Sequence, residues 1–211
     1  MSFLFDNAAE SWCTLIFAHG AGAPMDSAFM QEMTQCLQAL GVSVVRFEFP
    51  YMAQRRRDSV RRPPNQAAVL LETWRTVYVE VRAKVAGPIA IAGKSMGGRM
   101  ASMLADELQV DALVCLGYPF YPAGKVDRPR IEHLTDLRTA TLIVQGERDA
   151  LGAKLVVQQY TLSPAIELEW LAFADHDLKP LKRSGFTHEQ YMTYSAQRVV
   201  EFLQRVVQAK K

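Results

Sequence analysis

Apolar residues cluster in short runs at residues 12–18 (WCTLIFA), 42–49 (VSVVRFEF), 89–92 (IAIA), 111–116 (DALVCL) and 141–145 (TLIVQ), and residues 167–172 (ELEWLA) complete the set. Runs of this length suit strands covered on both faces, the situation in a parallel sheet. Between them the period changes. Phe29, Met30, Met33, Leu37 and Leu40 share one face of a helix that Asp26 or Ser27 opens and Gly41 ends. Ala68, Leu71, Trp74, Val77, Tyr78 and Val81 do the same for a helix capped by Asn65 and stopped by Gly87-Pro88. Two more helices are expected, one from just after Ser95 to about residue 108 and one over residues 187–207. Strand and helix in alternation predict an α/β fold, a three-layer α/β/α sandwich on a mainly parallel sheet of about six strands.

At 211 residues, with 49% apolar and 22% charged, the chain reads as one domain over residues 1–211. The net charge of +2 gives no reason to expect nucleic acid. That charge is unevenly spread, however. Residues 51–65 (YMAQRRRDSVRRPPN) carry Arg55, Arg56, Arg57, Arg61 and Arg62 against Asp58, a local +4 that leaves −2 on the rest. Following a strand, this loop belongs on the ligand-binding rim of the sheet. Three readings stay open: a solvated basic loop, arginines that bind an anionic substrate group, or a patch that docks an acidic partner. Cys13, Cys36 and Cys115 are odd in number and lack metal-ligand spacing, so reduced thiols and no metal or cofactor are expected. The N-terminus lacks a basic leader pattern and no run is long enough to span a membrane. A cytoplasmic protein is the expectation, and its oligomeric state stays open.

The chemistry starts at Gly93-Lys94-Ser95-Met96-Gly97, a G-x-S-x-G turn with an apolar strand before it and small residues after it. That context makes it a nucleophile elbow, in which a tight turn presents the Ser95 hydroxyl above the sheet edge. A lone serine is a poor nucleophile, so a base, an orienting acid and an oxyanion hole must follow. The acid and base must come later, in the order acid, then His. The turn after residues 141–145 resembles the one that carries the triad acid in α/β-hydrolases, which makes Asp149 the expected acid, with Glu147 the fallback. His176, in a short loop past the last strand, is the expected base; His188 is its rival but opens the last helix. His19-Gly20-Ala21-Gly22 forms a glycine-rich turn after the first strand that resembles the HG-x turn of α/β-hydrolases, and the resemblance implies that the Ala21 N–H joins that of Met96 as an oxyanion donor. Tyr118 and Phe120, in the aromatic loop after residues 111–116, are candidates for the wall of an acyl pocket, or else ordinary packing.

With these pieces in order, the chain resembles the α/β-hydrolase superfamily over nearly its whole length. More narrowly it resembles a small branch of hydrolases without a cap, through HGAGAPMDS, FPYM before the Arg- and Pro-rich loop, GKSMGGRMAS and a late DH. The resemblance implies a minimal α/β-hydrolase fold without a lid, beginning at the superfamily's third strand, and the triad Ser95, Asp149 and His176. The resemblance does not settle a substrate; the residues themselves are read as a serine hydrolase of a small ester or thioester acting through an acyl-enzyme, with Arg55, Arg56, Arg57, Tyr118 and Phe120 as candidate substrate contacts. The contrasting expectation is a non-catalytic module of the same fold that docks an acidic partner through residues 55–62.

Overall fold

The computed structural model describes residues 2–209. Its strands are β1 (Phe3–Asp6), β2 (Cys13–Ala18), β3 (Val42–Phe47), β4 (Ile89–Lys94), β5 (Ala112–Leu116), β6 (Thr141–Gly146) and β7 (Ile166–Leu171). They form one sheet in the order β1-β3-β2-β4-β5-β6-β7, parallel except for β1, which runs antiparallel to β3. The helices are α1 (Ala28–Ala39), α2 (Pro50–Asp58), α3 (Ala67–Arg82), α4 (Met96–Ser102), α5 (Lys154–Val157) and α6 (His188–Gln208).

Alternation along each strand divides the interior into two cores. Leu15 and Phe17 of β2 face the layer of α1 and α6, where Met33, Leu37, Met192 and Leu203 pack. Ile16 and Ala18 face the opposite layer, with Trp74 and Val77 of α3 and Met100 of α4. Trp74 is fully buried and meets Phe47 edge-on at 4.8 Å between ring centres. Burying an apolar side chain of this class contributes about 1.5–3 kcal/mol. Because β2 to β7 are parallel, their C-terminal ends share one rim, and the loops that follow β2, β4, β6 and β7 converge there.

Four sequence expectations need correction. A seventh strand, β1, borders β3, so the sheet begins one strand earlier than expected; Arg46 of β3 pins it through Asp6 at 2.9 Å. The basic segment is not a loop throughout, because residues 50–58 form α2 with Pro50 in its first turn, where the missing N–H costs nothing. Asn65 does not cap α3, whose N-cap is Gln66; its Oδ1 accepts the Tyr51 N–H at 2.9 Å, satisfying a first-turn donor of α2 instead. Helix α4 ends at Ser102, short of residue 108, and the chain continues as turns through residue 109. The last helix starts as expected, since Thr187 and Gln190 form a reciprocal capping box. Cys13 and Cys115 are buried free thiols, and burial raises the pKa of both.

Candidate active site

Ser95 joins β4 to α4 with φ 51° and ψ −117°, a conformation that costs a residue with a side chain of order 1–3 kcal/mol. The turn holds because three glycines remove every obstructing Cβ. A Cβ on Gly93 would land on the backbone of Gly97 and Gly98. One on Gly97 would stand 2.6 Å from the His19 carbonyl oxygen, and one on Gly98 would stand 2.6 Å from that of Gly93. The Ser95 N–H donates to the Leu116 carbonyl at 3.0 Å, and its own carbonyl accepts from Arg99 N–H at 3.0 Å.

The loop after β7 brings His176 to this serine. Its Nε2 lies 2.9 Å from Ser95 Oγ, and its Nδ1 lies 2.8 Å from Asp149 Oδ2. Asp149 is fully buried, yet its oxygens are well supplied with donors. Oδ1 accepts the Leu151 N–H at 2.7 Å, and Oδ2 also accepts Gln145 Nε2–H at 2.7 Å. The Gln145 side chain, itself buried, is further fixed by the Tyr118 N–H at 2.7 Å. Gln145 was not singled out in the sequence, where it reads only as the polar end of a strand.

The glycine-rich turn is set by its histidine. His19 is fully buried; Nδ1–H donates to the Gly20 carbonyl at 2.6 Å and Nε2 accepts the Phe49 N–H at 3.1 Å. Burial holds its pKa below the usual imidazole value, so the ring is a neutral brace rather than a base. Tyr51 of α2 adds a bond from its hydroxyl to the Ala21 carbonyl at 3.0 Å. Among the described residues, neither the Ala21 nor the Met96 N–H donates to a protein acceptor. Met96 opens α4, where first-turn amides have no partner within the helix. A cavity of about 390 Å³ is lined by Ala21, Phe29, Ser95, Leu151, His176 and Lys94.

Lys94 is the second residue the sequence left unnoticed. Its side chain is almost fully buried, donates from Nζ to the His176 carbonyl at 2.6 Å, and pairs with Asp177 at 3.1 Å. Its ammonium also sits over the Phe29 ring, 5.3 Å from the centre. Burial pulls the lysine pKa below its ordinary value, against the opposing pull of Asp177. The residue beside the nucleophile thus tethers the backbone of the histidine. Lys94→Met is expected to lower kcat about 10- to 100-fold with little change in KM, because a loosened imidazole misaligns the reacting atoms rather than the bound substrate. Steady-state kinetics on a p-nitrophenyl ester separates the two parameters, and a change confined to KM would reject the tether.

Other candidates lie elsewhere. Arg56 is held by Glu48 at 2.6 Å and Asp26 at 2.8 Å, so it braces α2 against the segments that follow β3 and precede α1 and does not line the cavity. Arg55 reaches the Gly22 carbonyl at 3.2 Å and Arg57 bonds Gln54 on its own helix. Tyr118 and Phe120 do not wall the cavity, because both rings are fully buried against each other, 4.8 Å between centres, in the core under α3 and α4. The Tyr118 N–H has already turned the loop inward by bonding Gln145. Glu147 pairs with Lys154 at 2.8 Å, and His188 bonds the Asp177 carbonyl at 3.0 Å; neither meets Ser95. His133 bonds Ser102 at 2.8 Å. Among the described residues, no group of His, Cys, Asp and Glu is placed to hold a metal ion, and no helix is long and apolar enough to cross a membrane.

Residues 11–204 match the family model of the alpha/beta hydrolase domain. No curated protein matches the chain by sequence. Among solved structures, the chain is similar to an α/β serine hydrolase without a lid from Xanthomonas campestris, with 22% identity over 98% of this chain and 88% of that one, at a TM-score of 0.68. It is also similar to a dienelactone hydrolase from Anabaena variabilis, with 19% identity over 96% and 90%, TM-score 0.72. A third likeness is to Est1E from Butyrivibrio proteoclasticus, with 14% identity over 97% and 93%, TM-score 0.70.

Proposed function

The chain belongs to the alpha/beta hydrolase domain family, and from that premise we propose that it is a serine hydrolase of small esters or thioesters. One observation carries the reading: an unbroken line of bonds from Ser95 Oγ through His176 to buried Asp149, at 2.9 and 2.8 Å. His176 Nε2 takes the Ser95 proton as Oγ attacks the acyl carbon, and Asp149 fixes the ring's tautomer and stabilises the imidazolium. The Ala21 and Met96 amides, free of protein acceptors, receive the oxyanion; loss of one such donor is worth about 3 kcal/mol. The imidazolium returns the proton to the departing alcohol or thiol, and a water molecule then releases the acid by the same steps. With no insertion over the cavity between β6 and β7 beyond α5 and short turns, the site favours short or extended substrates.

A fluorophosphonate probe tests the reading. It is expected to label folded protein at one residue, Ser95, located by mass spectrometry of the modified peptide. Folded protein that resists the probe favours the non-catalytic module, docking an acidic partner through residues 55–62.

A further inference from the structure

One half-buried arginine of the basic segment has no anion of its own. Arg56 is clamped by Glu48 and Asp26, Arg62 by Asp58, and Arg57 bonds Gln54 on its own helix. Arg55 forms no ion pair among the described residues. Its Nη1 donates to the Gly22 carbonyl at 3.2 Å, which leaves its Nε and Nη2 donors without a protein acceptor. A guanidinium fork is matched to the two oxygens of a carboxylate.

Arg55 faces accessible space. It lines a second cavity, of about 310 Å³, together with Pro24, Met52, Arg56 and Ser59. Both charged groups on that lining are guanidinia, and no carboxylate joins them. Glu48 and Asp26 spend their charge on Arg56 and line neither this cavity nor the catalytic one. Ser59 follows Arg55 by one turn, its N–H donating to the Arg55 carbonyl at 2.8 Å. Its hydroxyl bonds no protein group among the described residues, so a further donor stands on the lining.

The two cavities meet across the turn that carries the Ala21 amide. Gly22 and Ala23 line the catalytic cavity, and the next residue, Pro24, lines the second. The Gly22 carbonyl is the very group that Arg55 holds. From Gly22 to Pro24 the chain spans at most about 7 Å, the reach of a short aliphatic chain. Phe29 and Met30 in the first cavity, with Met52 and Pro24 in the second, offer such a chain apolar contact.

We propose that Arg55, with Ser59, binds a carboxylate beside the catalytic cavity, so that the ester turned over at Ser95 carries a carboxylate at the far end of a short acyl chain. The substrate half rests on the hydrolase reading; the carboxylate site rests on the second cavity alone.

Binding is read first without turnover. Free glutarate is titrated into isotope-labelled Ser95→Ala protein, and the Arg55 Nε–H and Ser59 amide resonances are expected to shift saturably in NMR spectra. Adding Arg55→Gln is expected to weaken glutarate binding at least about tenfold, the loss of one charge-assisted pair. Arg57→Gln removes the same charge from a position that lines neither cavity, and little effect is expected. No saturable shift, or one that survives Arg55→Gln, overturns the site. A second arm uses enzyme with Ser95 intact. It compares p-nitrophenyl monoesters of glutarate, adipate and pimelate with the valerate, hexanoate and heptanoate esters of equal chain length. A preference in kcat/KM for the charged esters, removed by Arg55→Gln while the neutral esters keep their rates, supports the substrate half. Equal losses on both sets mean that Arg55 only supports the turn, and overturn it. Glutarate binding without any ester preference assigns the site to a free anion and also overturns the substrate half. Protein that binds glutarate through Arg55 yet resists the fluorophosphonate probe keeps the site and loses the hydrolase reading.

Discussion

Ser95→Ala is expected to reduce ester hydrolysis by about 10⁶-fold in kcat, the loss found when a triad nucleophile is removed. Ser95 is the hydroxyl bonded to His176 in the cavity. Of the other polar side chains that line it, Lys94 is held by the His176 carbonyl and Asp177, and Ser27, at the start of α1, forms no bond with His176 among the described residues. The substitution leaves the elbow's backbone bonds to Leu116 and Arg99 in place and exchanges one residue with a Cβ for another at φ 51°. Thermal melting should therefore stay close to that of the parent. Turnover of p-nitrophenyl acetate by purified protein measures the effect, and a rate undiminished in Ser95→Ala would mean that another residue is the nucleophile.

Asp149→Asn is expected to lower kcat by about 10⁴-fold, through the tautomer of His176 rather than through its position. Asp149 accepts from three sides: Leu151 N–H on Oδ1, and Gln145 Nε2–H with His176 Nδ1 on Oδ2. An asparagine has one acceptor and one donor end for these three donors. With its oxygen toward Leu151, its amide group faces His176 and Gln145. The ring then moves its proton from Nδ1 to Nε2, where it can no longer accept one from Ser95. With the amide reversed, two N–H groups confront each other at Leu151, an unsatisfied buried pair that costs about 1–3 kcal/mol. Kinetics on the same ester and a histidine NMR spectrum read the two consequences separately. Fluorophosphonate labelling that proceeds at the parent rate in this variant would show that Asp149 does not set the tautomer.

How much of this was legible beforehand follows from how local each signal is. The elbow is readable because its requirements are consecutive: a strand, two flanking glycines and a small residue at Gly98, each demanded by a clash the structure makes explicit. Two layers of helices on a parallel sheet are readable because the apolar runs of 12–18, 89–92, 111–116 and 141–145 leave no polar face. The order of Ser95, Asp149 and His176 was enough to nominate them, although each lies in a loop where a polar residue usually means only solvent. Short β1 carried too weak a pattern to stand out, because its identity comes from pairing with β3 and from Asp6 meeting Arg46.

What the sequence determined by itself, then, is the layer architecture and the turn that presents Ser95, because backbone periodicity and glycine sterics act between near neighbours in the chain. Tertiary structure alone decided which charges are free. Glu48 and Asp26 neutralise Arg56, so the most basic stretch of the chain is largely a brace. Lys94 is bound to a loop 82 residues away, while Arg99, unremarkable in sequence, keeps a buried Nε without a hydrogen-bond partner among the described residues. The physical reason is that a charge is defined by its counter-ion and its solvent, and folding assigns both across distances that no local pattern encodes.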